Sequence, residues 1–115
     1  MDNEEGERGD AARDQLMREL EATEEELILR EKKLALLDDE ILQYRYRLEA
    51  LGQEASVLIG DALSITAREA LRAQLEEKIH MRSRSRVEVE GDVERARERK
   101  ESIELELREL DSNEI

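Results

Sequence analysis

Residues 56–69, SVLIGDALSITARE, hold the one interruption in an otherwise regular sequence of charged, amphipathic helix. Gly60-Asp61 is the strongest turn dipeptide of the chain, because glycine tolerates the left-handed backbone conformation in which many helices end. Thr66 and Glu69 then form a capping box, in which a hydroxyl and a carboxylate three residues apart accept free amides at a helix start. This order of stop signal, short link and start signal predicts that the chain folds back on itself near Gly60.

The apolar residues on both sides of this stretch recur at alternating spacings of four and three residues, which is typical of helices packed in a coiled coil. The repeat is regular before the turn and looser after it, where Arg82, Arg86 and Lys100 occupy apolar positions. The predicted fold is therefore all-α, an antiparallel coiled-coil hairpin of two long helices. The residues expected in the seam between the helices are Leu16, Leu20, Leu27, Leu34, Leu37, Ile41, Tyr44, Leu48, Leu51, Leu58, Leu75, Ile79, Val89, Val93, Ile103, Leu107 and Leu110.

The turn signals also set the expected boundaries. Residues 1–10 are expected to be an acidic, disordered tail, followed by a helix over 11–59, a turn over 60–65 and a helix over 66–112. A reversal midway between residues 61 and 62 places Leu48 opposite Leu75 and Leu20 opposite Ile103. The alternative is one continuous rod, in which the three extra residues of the interruption are absorbed as a stammer in the heptad repeat.

The composition restricts the class of protein. Charged residues make up 44% of the 115 residues and aromatic residues 2%, so an elongated helical protein is expected rather than one with a rounded core. The chain has no cysteine for a disulfide framework, its acidic start does not resemble a secretory signal, and no apolar run reaches the roughly 20 residues of a membrane span. We therefore predict a soluble intracellular protein, cytoplasmic or nuclear, with no membrane partner.

The formal net charge of −13 is unevenly distributed. Residues 1–40 carry 15 acids and 6 bases, residues 41–100 carry 11 and 12, and residues 101–115 carry 6 and 1. This balance argues against nucleic acid as a partner of the whole chain. The acidic ends would suit a basic partner surface, or they simply keep an elongated protein soluble.

A second apolar stripe is predicted on the first helix, opposite the seam. A row of apolar residues of this length usually marks an interface, so we expect it to contact protein. The partner is another copy of the chain, giving a two-fold dimer with four helices, or a helical subunit of a larger complex. Tyr46, exposed between two arginines, is a candidate recognition residue. The predicted partner-binding residues are Ala22, Ile28, Leu29, Ala35, Leu36, Leu42, Tyr46, Ala50 and Val57.

No catalytic, cofactor or metal site is expected from a chain with one histidine, no cysteine and no glycine-rich phosphate loop. Glu77-x-x-His80 resembles the carboxylate–histidine element of di-iron bundles, but the heptad frame places both residues on the outer face. Residues 81–89, MRSRSRVEV, form a basic cluster that could contact phosphate, and Ser83 and Ser85 are candidates for phosphorylation. Because acids follow directly and no aromatic residue is present to stack a base, the cluster is better explained as neutralising the acidic first helix.

These observations predict a non-enzymatic structural protein, a coiled-coil scaffold, tether or adaptor that acts through its shape. The stripe on the first helix would hold a second copy or a neighbouring subunit. The alternative is a helical-hairpin chaperone or regulator that docks onto a larger machine through its tip, around Asp61 and Leu63, or through its acidic end.

Overall fold

The computed structural model describes the backbone of residues 2–57 and 62–113, and the side-chain exposure of residues 8–53 and 65–112. Two helices make up the described chain, α1 from Asp2–Val57 and α2 from Ala62–Asn113. They pack against each other as a hairpin, which confirms the predicted all-helical hairpin and excludes one unbroken helix. The predicted turn signal Gly60-Asp61 and the seam residue Leu58 lie outside the described residues.

Both helices begin at earlier residues than the sequence predicted from the turn and the N-terminal tail. α1 begins at Asp2, within the stretch expected to be a disordered tail. That stretch has no proline and leads into Ala11 and Ala12, the best helix formers, and the helix continues through Gly6 and Gly9 although each costs about 1 kcal/mol of helix propensity. α2 begins at Ala62, so Thr66 of the predicted capping box lies inside the helix rather than at its start.

The chain divides into two compact units, each of which takes a segment from both helices. The terminal unit comprises Met1–Lys32 and Gly91–Ile115, and the central unit comprises Lys33–Glu90. Both are built from helical segments whose long charged side chains can cover apolar surface with their aliphatic stems while the charged ends stay in water. The two units differ in what lines their seams and in what they expose.

The terminal unit has a core of small and β-branched side chains. Ala96 is completely buried, and Val93 and Ile103 of α2 are buried as well. The predicted seam residues Leu16, Leu20, Leu27, Leu107 and Leu110 are half-buried. Thr23, which breaks the apolar pattern of the sequence, is also buried, and its hydroxyl donates a 2.7 Å hydrogen bond to the backbone carbonyl of Glu19. The seam therefore accepts a polar residue because α1 itself satisfies the hydroxyl.

Ion pairs join α1 to α2 along the terminal unit. Arg30 lies 3.1 Å from Asp92. The predicted reversal places the residue next to Asp92 opposite Arg30, so the pair differs from the predicted register by one residue. Further along, as the residue number falls in α1 it rises in α2: Glu26 pairs with Arg99 at 3.0 Å, Glu24 approaches Lys100 at 4.0 Å, and Arg13 pairs with Asp111 at 2.7 Å.

The central unit has a core of larger aliphatic side chains. The predicted seam residues Leu37, Ile41, Leu51, Leu75 and Val89 are buried, and Leu34, Tyr44, Leu48 and Ile79 are half-buried. Two arginines of α2 form ion pairs with acids of α1 in this unit: Arg82 binds Glu40 at 2.9 Å, and Arg86 binds Asp38. In the predicted register, the residue opposite each arginine is a direct sequence neighbour of the acid that the arginine binds.

Candidate protein-binding surfaces

The outer face of α1 in the central unit carries several exposed apolar residues, with Asp39, Gln43 and Glu49 exposed on the same face. Leu36, Leu42 and Tyr46 have 59%, 48% and 62% of their surfaces accessible, and Ala35 and Ala50 are exposed beside them. The heptad repeat causes this arrangement, because residues at the positions opposite the seam point away from α2. These five apolar residues are called the central outer face below.

The central outer face continues onto α2 through a residue that the sequence did not single out as part of a surface. Val87 is 66% exposed, and it lines a shallow groove of about 490 Å³ together with Leu42, Ile41 and the Arg86–Asp38 ion pair. The heptad pattern places Val87 on the outer face of α2 without indicating which residues of α1 lie near it. Its position beside Leu42 depends on how α1 and α2 are staggered.

The terminal unit holds three of the other predicted stripe residues. Ile28 and Leu29 are exposed, and Ala22 is exposed as well. The side chain of Val57 lies outside the described residues.

Tyr44 and Tyr46 have different surroundings although two residues separate them. Tyr46 is exposed, whereas the half-buried Tyr44 ring is approached by three cations. The centroid of that ring lies 5.6 Å from the Lys78 ammonium and 5.7 Å from the guanidinium groups of Arg47 and Arg82. Cations at this distance are attracted by the negative face of the ring. Tyr44 thus joins α1 to α2 through charge as well as through packing.

The basic cluster of α2 is engaged by acids of the same unit. The side-chain hydrogen bond to Glu40 raises the pKa of Arg82 above its ordinary value, and the hydrogen bond to Asp38 does the same for the pKa of Arg86. A raised pKa in the folded state adds stability that is lost only as the pH rises through that pKa, far above neutrality. Both arginines are therefore charged and paired at neutral pH, while Arg84 is exposed and Ser83 and Ser85 are half-buried.

The residues of the di-iron-like spacing face solvent. Glu77 and His80 are both exposed on α2. Among the residues that the structure describes, no group of three or more histidine, cysteine, aspartate or glutamate side chains is arranged to hold a metal ion.

The terminal unit carries grooves of another kind, with apolar floors and acidic sides. One lies between the helices and has a volume of about 430 Å³. Leu16 and Leu110 form its floor, and Glu106 and Glu109 lie along its side. A second, of about 530 Å³, runs along α1 past Met17 and Leu20 with Asp14, Glu21 and Glu24 as its acids.

Comparison with known proteins found no match, whether to a protein-family model, to a curated protein or to a solved structure. Across the described parts of α1 and α2, no segment is both long and apolar enough to cross a membrane.

Proposed function

We propose that the protein is a non-enzymatic scaffold or adaptor, an antiparallel coiled-coil hairpin that associates with a second copy through the central outer face. The observation that carries this proposal is the exposure of Leu36, Leu42 and Tyr46 on one face of a folded unit. Apolar residues grouped in this way on a soluble surface usually mark a site of protein contact.

The charge of the central unit supports a second copy as the partner. Residues 33–90 carry 11 acids and 9 bases, a net charge of −2, so two central units repel each other only weakly. A two-fold axis places the same face of both copies in contact, and the resulting four-helix arrangement is a common solution for amphipathic hairpins. The Leu42–Val87 groove would then receive side chains of the partner copy.

A non-enzymatic role is part of the same proposal. The single histidine of the sequence, His80, is exposed on a helix surface, and the sequence contains no cysteine nucleophile. General acid–base and nucleophilic catalysis usually depend on such groups held in a shielded site with a partner that activates them. Neither shielding nor an activating partner is found around His80 among the described residues.

The test is the mass of the purified chain by light scattering at two concentrations. We expect a mass near twice 13.4 kDa for the native sequence at the higher concentration. Leu36→Glu with Leu42→Glu should return the mass to that of one chain, because two carboxylates cannot be buried unpaired in an apolar interface. Circular dichroism should show that the helical content is kept.

The matched control replaces two exposed leucines of α2 outside the central outer face. Leu71→Glu with Leu105→Glu introduces the same charge at positions of similar exposure and should leave the dimer mass unchanged. A native chain that has the mass of one copy at both concentrations, or equal effects of the two double variants, would contradict self-association through this face.

The second candidate function is a helical-hairpin regulator that docks through its acidic end. The charge of the terminal unit favours it: residues 1–32 carry 12 acids and 5 bases and residues 91–115 carry 9 and 5, a net charge of −11. Docking through the tip would depend on Asp61 and Leu63, whose side chains lie outside the described residues. Purification with one large complex, lost when the terminal acids are neutralised, would support this candidate over self-association.

A further inference from the structure

The groove between α1 and α2 in the terminal unit combines an apolar floor with unpaired acids. Leu16 and Leu110 are half-buried, so part of each side chain faces the groove, while Glu106 and Glu109 are exposed at its side. Among the described residues, no hydrogen bond or ion pair engages either glutamate. The neighbouring acids are already in use, since Glu104 approaches Arg108 at 4.0 Å and Asp111 binds Arg13.

The second groove of this unit is less suited to a cationic partner. It contains Arg18 among its acids, and its Glu24 is already close to Lys100. The inter-helix groove has no base in its lining, which consists of Ala12, Gln15, Leu16, Glu106, Glu109 and Leu110. The inter-helix groove therefore suits a cationic partner better than the groove along α1 does.

The net charge of −11 on the terminal unit restricts the kind of molecule that can bind in this groove. Nucleic acid and anionic lipid are repelled by such a unit, and so is a second terminal unit of the same charge. A cationic protein segment is attracted, and its approach is accelerated by the same field. The apolar floor further requires that the segment carry an apolar stripe beside its charges.

The secondary structure of the occupant follows from the groove's walls. Both walls are helices, whose backbone amides and carbonyls are bonded within each helix, so they offer no edge to which an extended strand could add. A segment that enters an apolar groove must then satisfy its own backbone groups, which a helix does. Helices docked in this way use apolar residues spaced three and four apart as anchors.

We propose that this groove is a docking site for a cationic amphipathic helix of another protein. The apolar stripe of that helix packs on Leu16 and Leu110, and its lysines or arginines pair with Glu106 and Glu109. The site uses residues of the terminal unit alone, so it goes beyond the proposed self-association and does not depend on it.

The experiment measures binding of a probe peptide to the full-length chain by fluorescence anisotropy. The probe is a labelled peptide of about 18 leucine and lysine residues in an amphipathic helical repeat, long enough for about five helical turns. A second peptide has the same composition in an order that gives no apolar face. We expect the amphipathic peptide to bind and the reordered one to bind at least about fivefold more weakly, because it cannot cover the floor of the groove.

The variants separate this groove from the general negative charge of the chain. Glu106→Gln with Glu109→Gln should weaken peptide binding by roughly fivefold, the loss of two partly exposed ion pairs. The matched control is Glu76→Gln with Glu77→Gln, which removes the same charge from exposed positions of α2 in the central unit. It should change binding by less than about twofold, since neither glutamate lines the groove and salt screens the general attraction of exposed charges.

Three results would overturn the proposal: no binding of the amphipathic peptide, equal binding of the reordered peptide, or equal weakening by the two double variants. Circular dichroism of each variant establishes that the helices are intact. Light scattering of Glu106→Gln with Glu109→Gln should give the mass of the native chain, so failure of this docking site and failure of self-association are distinguished.

Discussion

The terminal and central units are built from the same two helices but distribute charge and apolar surface differently. The terminal unit, with a net charge of −11, carries interhelical ion pairs such as Glu26–Arg99 and Arg30–Asp92 along its seam. The central unit is nearly neutral, has a core of larger aliphatic residues, and exposes Leu36, Leu42, Tyr46 and Val87, whereas the exposed Ile28 and Leu29 belong to the acidic terminal unit. One heptad repeat can therefore support two surfaces of different chemistry, because the seam positions set the packing and leave the outer positions free.

The difference bears on how each unit would recognise a partner. An exposed apolar face of low net charge tolerates a second copy of itself, whereas a strongly acidic unit repels its own copy and attracts cations. The two proposed contacts therefore use separate surfaces and respond differently to salt. Association through the central outer face should persist in high salt, while docking in the terminal groove should weaken.

The largest expected effect tests whether the buried seam stabilises both units. Leu37→Ala in the central unit and Ile103→Ala in the terminal unit should each lower the free energy of unfolding by about 2–4 kcal/mol, because each removes buried methyl groups and leaves a cavity. Urea denaturation followed by circular dichroism, at one fixed protein concentration, measures the loss.

The controls for this prediction are Leu36→Ala and Leu105→Ala, which remove the same kind of side chain from exposed positions. They should change the free energy of unfolding by less than about 0.5 kcal/mol when measured on single chains at low concentration. A core substitution that costs no more than its exposed control would show that the seam of that unit is not its source of stability.

A smaller effect is expected from the ion pairs of the terminal unit. Arg97→Gln with Arg99→Gln removes the interhelical partners of Glu31 and Glu26 and makes an acidic unit more acidic. We expect a loss of about 0.5–1.5 kcal/mol of unfolding free energy at low salt, since each exposed pair contributes about 0.2–1 kcal/mol. Because salt screens exposed charges, about 1 M sodium chloride should remove most of the loss.

The matched pair in the central unit is Arg45→Gln with Arg84→Gln, two exposed arginines that hold no ion pair among the described residues. Their replacement should cost less, in a unit of nearly balanced charge. If the two double variants lose equal stability with equal dependence on salt, the loss does not come from the Glu31–Arg97 and Glu26–Arg99 ion pairs.

The smallest effect concerns the polar residue in the terminal core. Thr23→Val should raise the free energy of unfolding slightly, by up to about 1 kcal/mol, because a methyl group replaces a buried hydroxyl. The carbonyl of Glu19 remains the acceptor of the helical backbone amide, so no buried acceptor is left unsatisfied. Thr23→Ser, which keeps the hydroxyl and removes the methyl group, should instead be destabilising in the same denaturation measurement.

Much of the fold could be predicted from particular residues. The four-and-three spacing of leucines placed Leu37 and Ile41 toward α2 and Leu36 and Leu42 away from it; in the structure the first two are buried and the other two are exposed. Helix boundaries were less predictable, because the capping signal at Thr66 competes with helix-forming residues before it. The heptad repeat placed Thr23 at a seam position, but it did not predict the hydrogen bond to the Glu19 carbonyl that satisfies its buried hydroxyl.

The candidate surfaces were likewise predictable from the sequence only in part. The periodicity of α1 identified the central outer face, but it could not place Val87 beside Leu42 or gather Lys78 and Arg82 around Tyr44. These neighbours come from different helices, and their positions depend on the stagger between the helices and on the rotamers of long side chains.

The sequence by itself determined that two amphipathic helical segments form and which face of each is apolar, and it favoured a hairpin over one continuous rod. Helical periodicity is a local property, so the order of residues is enough to specify it. Only the tertiary structure decided which acids are paired and which, like Glu106 and Glu109, are left to line a groove. The physical reason is that the charged atoms of an ion pair must lie within about 4 Å of each other. For residues on different helices, that distance depends on how the helices pack and cannot be read from the spacing of residues along the sequence.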